Sequence, residues 1–543
     1  MSVVKYSCKD NKKKLLRLSC GDVLELCSDE YQNPLVLTGL VGTSDQPITI
    51  RPKKNEQATF TSGWKDDEAR IWANKAADQR QRSGYYPSVG HLGDQAMLVL
   101  RNCQFVIIRG IDFKNCWPTA IYLDNCQNIV LHDLKFTGGT IAIGANGIDT
   151  RDLIVQHCCW RQDTSKKNKM WNSIPWPRIH GASNNSDAPD VDIYGDYRYW
   201  DGDFFRAWNV TGNVIIRDNH VSDAFNGIHF FNSHDRLAPG VVASQLQFNG
   251  GRQASANVLI ERNSFTRIRD NIFEPEYHAW NWVIRYNHMR DCYRPFSFEF
   301  ERAGWIYVYG NTASFKSSPS TKMSTEDKEK YPSSEWRKSP SLFKPNGPQL
   351  NEGPIYVLNN SWYMATGKGL LPKFVLGRLV HANNLAEFEH PEKGMLFGKD
   401  GMKAISMPWS EEYEKTAEAS RFTRRWREYK IEIFSDTAND SNFPEVYRQV
   451  GYPIGSETIN KYPGFTDPAA CPPDFTPKSG EALGKSNNVT IELPDATSEV
   501  FEGGHDRGAC HGDDSLSGLD DMMRFLPTDD WLPDLPTARK HDS

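Results

Sequence analysis

Five acidic residues crowd one stretch of the chain: Asp270, Glu274 and Glu276 in DNIFEPE, then Glu299 and Glu301 in FEFER. Carboxylates held close together raise one another's pKa, which can keep one protonated beside one ionised. Such a pair cleaves glycosidic bonds: one carboxyl protonates the leaving oxygen while the other activates water or attacks the anomeric carbon. Separations near 5 Å give retention and about 6.5–9.5 Å inversion. The expected pairing is Glu276 with Glu299 or Glu301, with Glu274 tuning its neighbours, and His229 and Arg294 adjoin the group. The bland alternative is a solvated acidic strand face neutralised by Arg285, Arg290, Arg294 and Arg302.

The flanks suit a sugar. Asp203, Arg206 and Trp208 lie in DGDFFRAW, and Tyr277, His278 and Trp280 follow Glu276. Pyranose faces stack on aromatic rings, while carboxylates and guanidinium groups bond hydroxyls. Core or coil-edge packing is the other reading of Trp208 and Trp280.

These residues meet only if the chain stacks them, and a repeat in the sequence does so. NVIIRDNH, NVLIERNS, NWVIRYNH, WIYVYGNT, PIYVLNNS and RLVHANNL align on Asn219, Asn263, Asn287, Asn311, Asn360 and Asn384. The steps are 44, 24, 24, 49 and 24 residues, that is, one unit or one unit plus an inserted loop. Self-similarity in the twenties marks a solenoid with one continuous core. Each unit alternates β-branched and aromatic residues at period 2. No helical run separates the strands, so a parallel β-helix is expected, with the asparagines as a turn ladder. His220 and His288 follow that ladder, where Ser264 and Thr312 also stand, and read as turn residues.

Superposing the units puts Asn226, Asp270 and Arg294 in one file, His229, Phe273 and Ser297 in a second, and Ile228, Ile272 and Phe296 in an inward third. Strict alternation would then bury Glu274 and Glu276 beside Phe230 and Phe298, at several kcal/mol unless paired. Pro275 cannot donate to a ladder and is confined to edges or bulges. A one-residue bulge near Phe273 would turn both glutamates outward.

The segment LSCGDVLELCSDEYQNPLVLTGLVGTSDQPITIRPKKNEQATFTSG (residues 18 to 63) resembles the first coil of right-handed parallel β-helix polysaccharide enzymes, most closely the chondroitinase-B and alginate-lyase type. YPGFTDPAACPPDFTPKSGEALGK and GHDRGACHG resemble the closing segment of such proteins. The resemblance implies an all-β, single-stranded right-handed parallel β-helix of the pectin-lyase-like kind, acting on a polysaccharide. The Lys and Arg pair of those lyases has no residue-by-residue match here.

Three functions follow. The first is glycoside hydrolysis by paired carboxylates, which needs no cofactor. The second is a polysaccharide lyase or uronate epimerase, with Arg294 or His229 as base and Ca²⁺ as a cofactor the acidic cluster could hold. The third is a non-catalytic glycan-binding solenoid.

Composition bounds the rest. A net charge of −6 over 543 residues leaves no basic field for nucleic acid, and no apolar run approaches a membrane span. The first twenty residues have no apolar signal core, so the expected location is cytoplasmic, or secreted or periplasmic if a leader precedes them. Eleven cysteines form no CxxC pair, and Cys103 and Cys126, 23 apart, read as stacked thiols. The expected organisation is a cap and first coils over 1–95 and coils over 96–405, with insertions at 161–208, 232–256 and 316–350. A C-terminal part over 406–543 contains one helix near 410–430 and packs back on the solenoid.

Overall fold

A computed structural model describes residues 2–10, 16–64, 96–162, 202–231, 256–298, 300–316, 342–344, 354–364 and 378–388. Towards the end of the chain it describes 432–434, 465–467, 473–477, 488–495, 497–502 and 516–539, with a few single residues. The chain is a parallel β-helix of three parallel sheets. A typical coil runs Gln127–His132 in the first sheet, Lys135–Thr137 in the second and Ile141–Asn146 in the third. The next coil repeats the path with Arg151–Gln156, Cys159–Arg161 and Asp203–Trp208, in register throughout. One long strand, Phe273–Arg285, passes from the third sheet into the first without a turn.

The asparagine ladder pins this register. The Asn219 Nδ2 donates to Asn263 Oδ1 at 2.9 Å, Asn263 to Asn287 at 3.0 Å and Asn287 to Asn311 at 3.0 Å. Asn311 continues to Asn360 at 3.0 Å, and Asn360 to Asn384 at 2.8 Å. Each oxygen also accepts the main-chain N–H of the preceding rung, as Asn263 Oδ1 does from Asn219. Upstream the file ends at Cys158, whose N–H donates to Asn219 Oδ1 at 2.9 Å. All six ladder asparagines are buried, so every amide must be satisfied within the protein.

Inside, like stacks on like. Tyr31, Phe60, Phe113 and Phe136 form one column with ring centroids 4.9, 5.5 and 5.1 Å apart. Phe273, Phe296 and Phe343 form another at 5.0 and 4.9 Å. Each buried ring stabilises the fold by about 1.5–3 kcal/mol relative to exposure. Cys103 and Cys126 are buried on adjacent rungs beneath Gln104 and Gln127.

A second file sits on the outside of the first sheet. Phe105, Asn128, Asp152, Asn213, Asn257, Asn281 and Trp305 all have left-handed backbones. Asparagine tolerates that conformation, and here Asn213 donates to Asp152, Asn257 to Asn213 and Asn281 to Asn257.

The C-terminal segment covers this outer face. Val489, Ile491, Phe501, Leu519 and Met523 pack on Ile154, Ile215, Leu259, Val283 and Tyr307. Asp520 is its main polar anchor, accepting from Arg285 (2.6 Å), Tyr309 (2.7 Å) and Tyr286 (2.9 Å). Further on, Arg539 reaches Asp133 and Asp112.

Three boundaries differ from the sequence reading. Asp203–Trp208 is a coil strand rather than the end of an insertion, and Phe343–Lys344 is a short strand inside the stretch read as one loop. Coil pairing also continues beyond 405, since Glu432–Phe434 pairs with Arg378–Ala382. The helix expected near 410–430 lies outside the described residues, and among the described residues of the tail the α-helix is Ser517–Met522.

Candidate active site

The third sheet brings the chemistry together on its outer face. Residues Ile143, Phe205, Ile228, Phe273, Phe296 and Phe343 form an inward file. One position on, Gly144, Arg206, His229 and Glu274 form an outward file. Two positions further, Asn146, Trp208 and Glu276 belong to a second outward file, with the Phe231 backbone in register between the last two.

A single extra residue sets this alignment. Val214 pairs with Val258 and His220 with Ser264, both 44 residues on, whereas Ile228 pairs with Phe273, 45 on. The next coil returns the residue, since Phe273 pairs with Phe296, 23 on, while Ser264 pairs with His288, 24 on. The N–H groups of Ile272 and Phe273 both donate to the Pro295 carbonyl, at 3.0 and 2.7 Å, which is the signature of a bulge. The glutamates therefore point outward. His229 faces Glu274 rather than Phe273, and Ile228 faces Phe273 rather than Ile272, which corrects the superposition by simple addition.

The polar groups interlock around His229. Its Nδ1 lies 3.5 Å from Asp203 Oδ1 and 3.6 Å from Glu274 Oε2, and its Nε2 lies 3.7 Å from Glu276 Oε2. Arg206 pairs with Asp203, and Lys344 Nζ stands 3.6 Å from Glu274 Oε1. The same Glu274 oxygen accepts from Asn271 Nδ2 at 2.9 Å, and Asn271 N–H donates to Asn226 Oδ1 at 3.2 Å. Burial alone would lower the His229 pKa, but Glu274, Asp203 and Glu276 outweigh it and push the value up to about 10. The ring is then an imidazolium at neutral pH. Three carboxylates are met by three cations, His229, Arg206 and Lys344.

Burial ranks the members. Asp203, His229 and Glu274 are buried, and Glu276 is the carboxylate of the cluster most open to solvent, with 16% of its side chain exposed. Asp203 is fully buried and pairs with Arg206 and His229, so it stands behind those two side chains. Trp208 is likewise buried, with Arg206 at 5.9 Å from its ring centre. Asp270 is buried, its N–H donating to the Phe225 carbonyl and its carbonyl accepting from Arg294. Arg294 lies over the Tyr293 ring at 4.9 Å.

Other residues fall elsewhere. Trp280 stands in the first sheet against Trp305, with ring centroids 5.8 Å apart, and not beside the carboxylates. The backbones of Tyr277 and His278 continue the Glu276 strand, and Glu301 lies on Phe300–Tyr309, but these three side chains and all of Glu299 lie outside the described residues. Asn271 and Lys344 went unread in the sequence. Asn271 gave no signal beyond adjacency to Asp270. Lys344 gave a faint one, the apolar pair Leu342-Phe343 inside a polar stretch.

His229, Glu274 and Glu276 also offer one ligand atom each within 4.8 Å of one another. That donor set fits a divalent cation once His229 has released its proton. The nitrogen suits an ion that accepts imidazole better than Ca²⁺, which takes oxygen ligands.

No protein-family model matches the chain, and neither does any curated protein. Among solved structures the chain is similar to an alginate lyase from Paenibacillus sp. str. FPU-7, at 11% identity and a TM-score of 0.34, over 70% of this chain and 99% of that one. It is similar to the pectate lyase Pel9A at 10% identity and a TM-score of 0.38, over 94% and 97%. A family 28 exopolygalacturonase from Yersinia enterocolitica aligns at 12% identity and a TM-score of 0.36, over 70% and 72%.

Proposed function

We propose that the chain is a polysaccharide-cleaving enzyme and that it breaks the chain by β-elimination at a uronate unit. The observation that carries this reading is the charge pairing around His229. Hydrolysis by a carboxyl pair requires one carboxylic acid to remain protonated. Here Glu274 and Glu276 lie 3.6 and 3.7 Å from the His229 ring, and an opposite charge at that range favours an ionised carboxylate. Elimination makes no such demand. It needs a base for the proton on C5 and positive charge against the sugar carboxylate.

Glu276 suits the first task, since its carboxylate lies 3.7 Å from His229 and reaches solvent. It takes the C5 proton, the C5 electron pair forms the C4–C5 double bond, and the C4–O bond breaks with its electrons going to the leaving oxygen, which is protonated by water. Lys344 and Arg206 supply positive charge at the same face. Asn271 and Lys344 hold Glu274, which in turn holds His229. His229 itself is protonated and buried, so it is not the base considered from sequence. Arg294 is a guanidinium that does not give up its proton in proteins, and serves at most as a donor.

A divalent cation, if present, would be held by His229, Glu274 and Glu276 and would add positive charge beside the substrate carboxylate. The cluster balances its own charge without one, so activity is expected to survive chelation by EDTA. Hydrolysis is the second reading, favoured by the Glu274 and Glu276 oxygens lying within 4.8 Å of each other, close to the roughly 5 Å of a retaining pair.

The test is a glycan panel including alginate, polygalacturonate and neutral glucans, read both for reducing ends and for ultraviolet absorbance. Elimination leaves an unsaturated, absorbing product. Reducing ends without absorbance would replace it by hydrolysis. Glu276→Gln should lower kcat at least a thousandfold, and a variant as active as the parent would remove the cluster from the chemistry.

A further inference from the structure

We propose that the corner between the third and first sheets, on the coils preceding the cluster, is a track that binds the polysaccharide several units away from the bond being cut. The inference rests on the reading of the cluster as a glycan-cleaving site. On the third-sheet side Arg101, Asp124 and Asn146 lie in register on successive rungs, and their file continues through Trp208 and Phe231 to Glu276. On the first-sheet side Gln104, Gln127 and Arg151 form a matching file.

The two files are pre-arranged and accessible. Asn146 Nδ2 donates to Asp124 Oδ1 at 3.2 Å, and Arg101 Nε lies 3.8 Å from Asp124 Oδ2. Gln127 Oε1 accepts from Arg151 at 3.3 Å and from Gln104 at 3.5 Å. The side chains of Arg101 and Asp124 are 38% and 28% exposed, and that of Arg151 is 52% exposed. Amides, a carboxylate and guanidinium groups provide the donors and acceptors that sugar hydroxyls need.

The corner itself is low. Two residues join Arg101 to Gln104 and two join Asp124 to Gln127, with Asn102 and Asn125 in left-handed conformations that turn the chain tightly. Among the described residues, no inserted loop rises at those two corners. An extended polymer can therefore lie across the strands, along the coil axis, where the rung spacing is close to the length of one sugar unit. Asn146 stands three rungs from Glu276, about 14 Å. The partner is thus a polyhydroxylated chain several units long, and the track is blind to fragments that end near the cluster.

The test compares polymer with trimer. In the Asp124→Ala/Gln127→Ala double variant, KM for the cleaved polymer should rise at least fivefold, kcat should change less than twofold, and kinetics on the trimer should be unchanged. Equal effects on polymer and trimer, or none on either, would overturn the track. Binding is read separately by retardation in gels containing polygalacturonate or alginate, using Glu276→Gln as the parent. Weaker retardation of the double variant, at an unchanged melting temperature, supports the track even if no glycan of the panel is cleaved. Cleavage with unaltered retardation removes the track and leaves the cluster standing.

Discussion

Lys344 Nζ lies 3.6 Å from Glu274 Oε1, although the two residues sit on different coils with a long polar stretch between them. The contact places a cation against a buried carboxylate that already accepts from Asn271. Replacing Lys344 by Met would leave Glu274 short of charge in a site where Lys344 is only 12% exposed. Removing one partner of a buried pair costs about 3–5 kcal/mol. Lys344→Met is expected to lose stability on that scale in urea unfolding, and the Lys344→Met/Glu274→Gln double variant should recover part of it. Additive losses would show that the two side chains act independently.

The imidazolium of His229 makes a pH prediction. Its pKa rises from about 6.5 in the unfolded chain to about 10 in the fold, so the folded form holds the proton more tightly. This contribution is fully present below the unfolded value and is lost as pH rises through the folded one. Melting temperature should therefore decline between pH 7 and pH 10. His229→Gln should flatten that decline while lowering stability near neutrality, where three carboxylates would lose their shared counter-charge. Parallel profiles for the two proteins would mean that His229 is not the titrating group.

The asparagine ladder should be costly to interrupt. Asn263 donates to Asn287 Oδ1 and to the Ile216 carbonyl, and accepts from Asn219. Asn263→Ala leaves several buried groups unpaired, each costing about 1–3 kcal/mol. Thermal unfolding should show a larger loss than for Asn257→Ala in the outer file, which is partly exposed to solvent.

The tail anchor can be cut without touching the cluster. Asp520→Ala removes the acceptor shared by Arg285, Tyr286 and Tyr309. Limited proteolysis should then cleave within 516–539 at least tenfold faster, while glycan cleavage at the third sheet persists. An unchanged digestion pattern would assign the holding force to the apolar contacts alone.

Much of this architecture was legible because it repeats. The ladder asparagines recur at one unit or one unit plus a loop, and each must satisfy the same buried amide, so spacing and physics agree. Pro275 also signalled the bulge that turns Glu274 and Glu276 outward. The contacts within the cluster were not legible. Whether His229 faces Phe273 or Glu274 depends on where one extra residue is absorbed, and no periodicity reports that. Lys344 belongs to a two-residue strand, too short for a pattern, and Asp203 and Trp208 looked like loop contacts because the strand holding them continues a Trp-, Tyr- and Asp-rich sequence that reads as an insertion.

The bulge at Ile272 and Phe273 has a consequence for how such a chain can change. Ladder asparagines on the coils before and after it, Asn263 and Asn287, keep step at 24 residues, so the surplus is confined to one corner and cancelled within one turn of the coil. A chain clamped in this way can gain or lose a residue in a single rung and shift which side chains look outward there, while every other rung keeps its phase. New surface chemistry could thus be tried locally, without renegotiating the core.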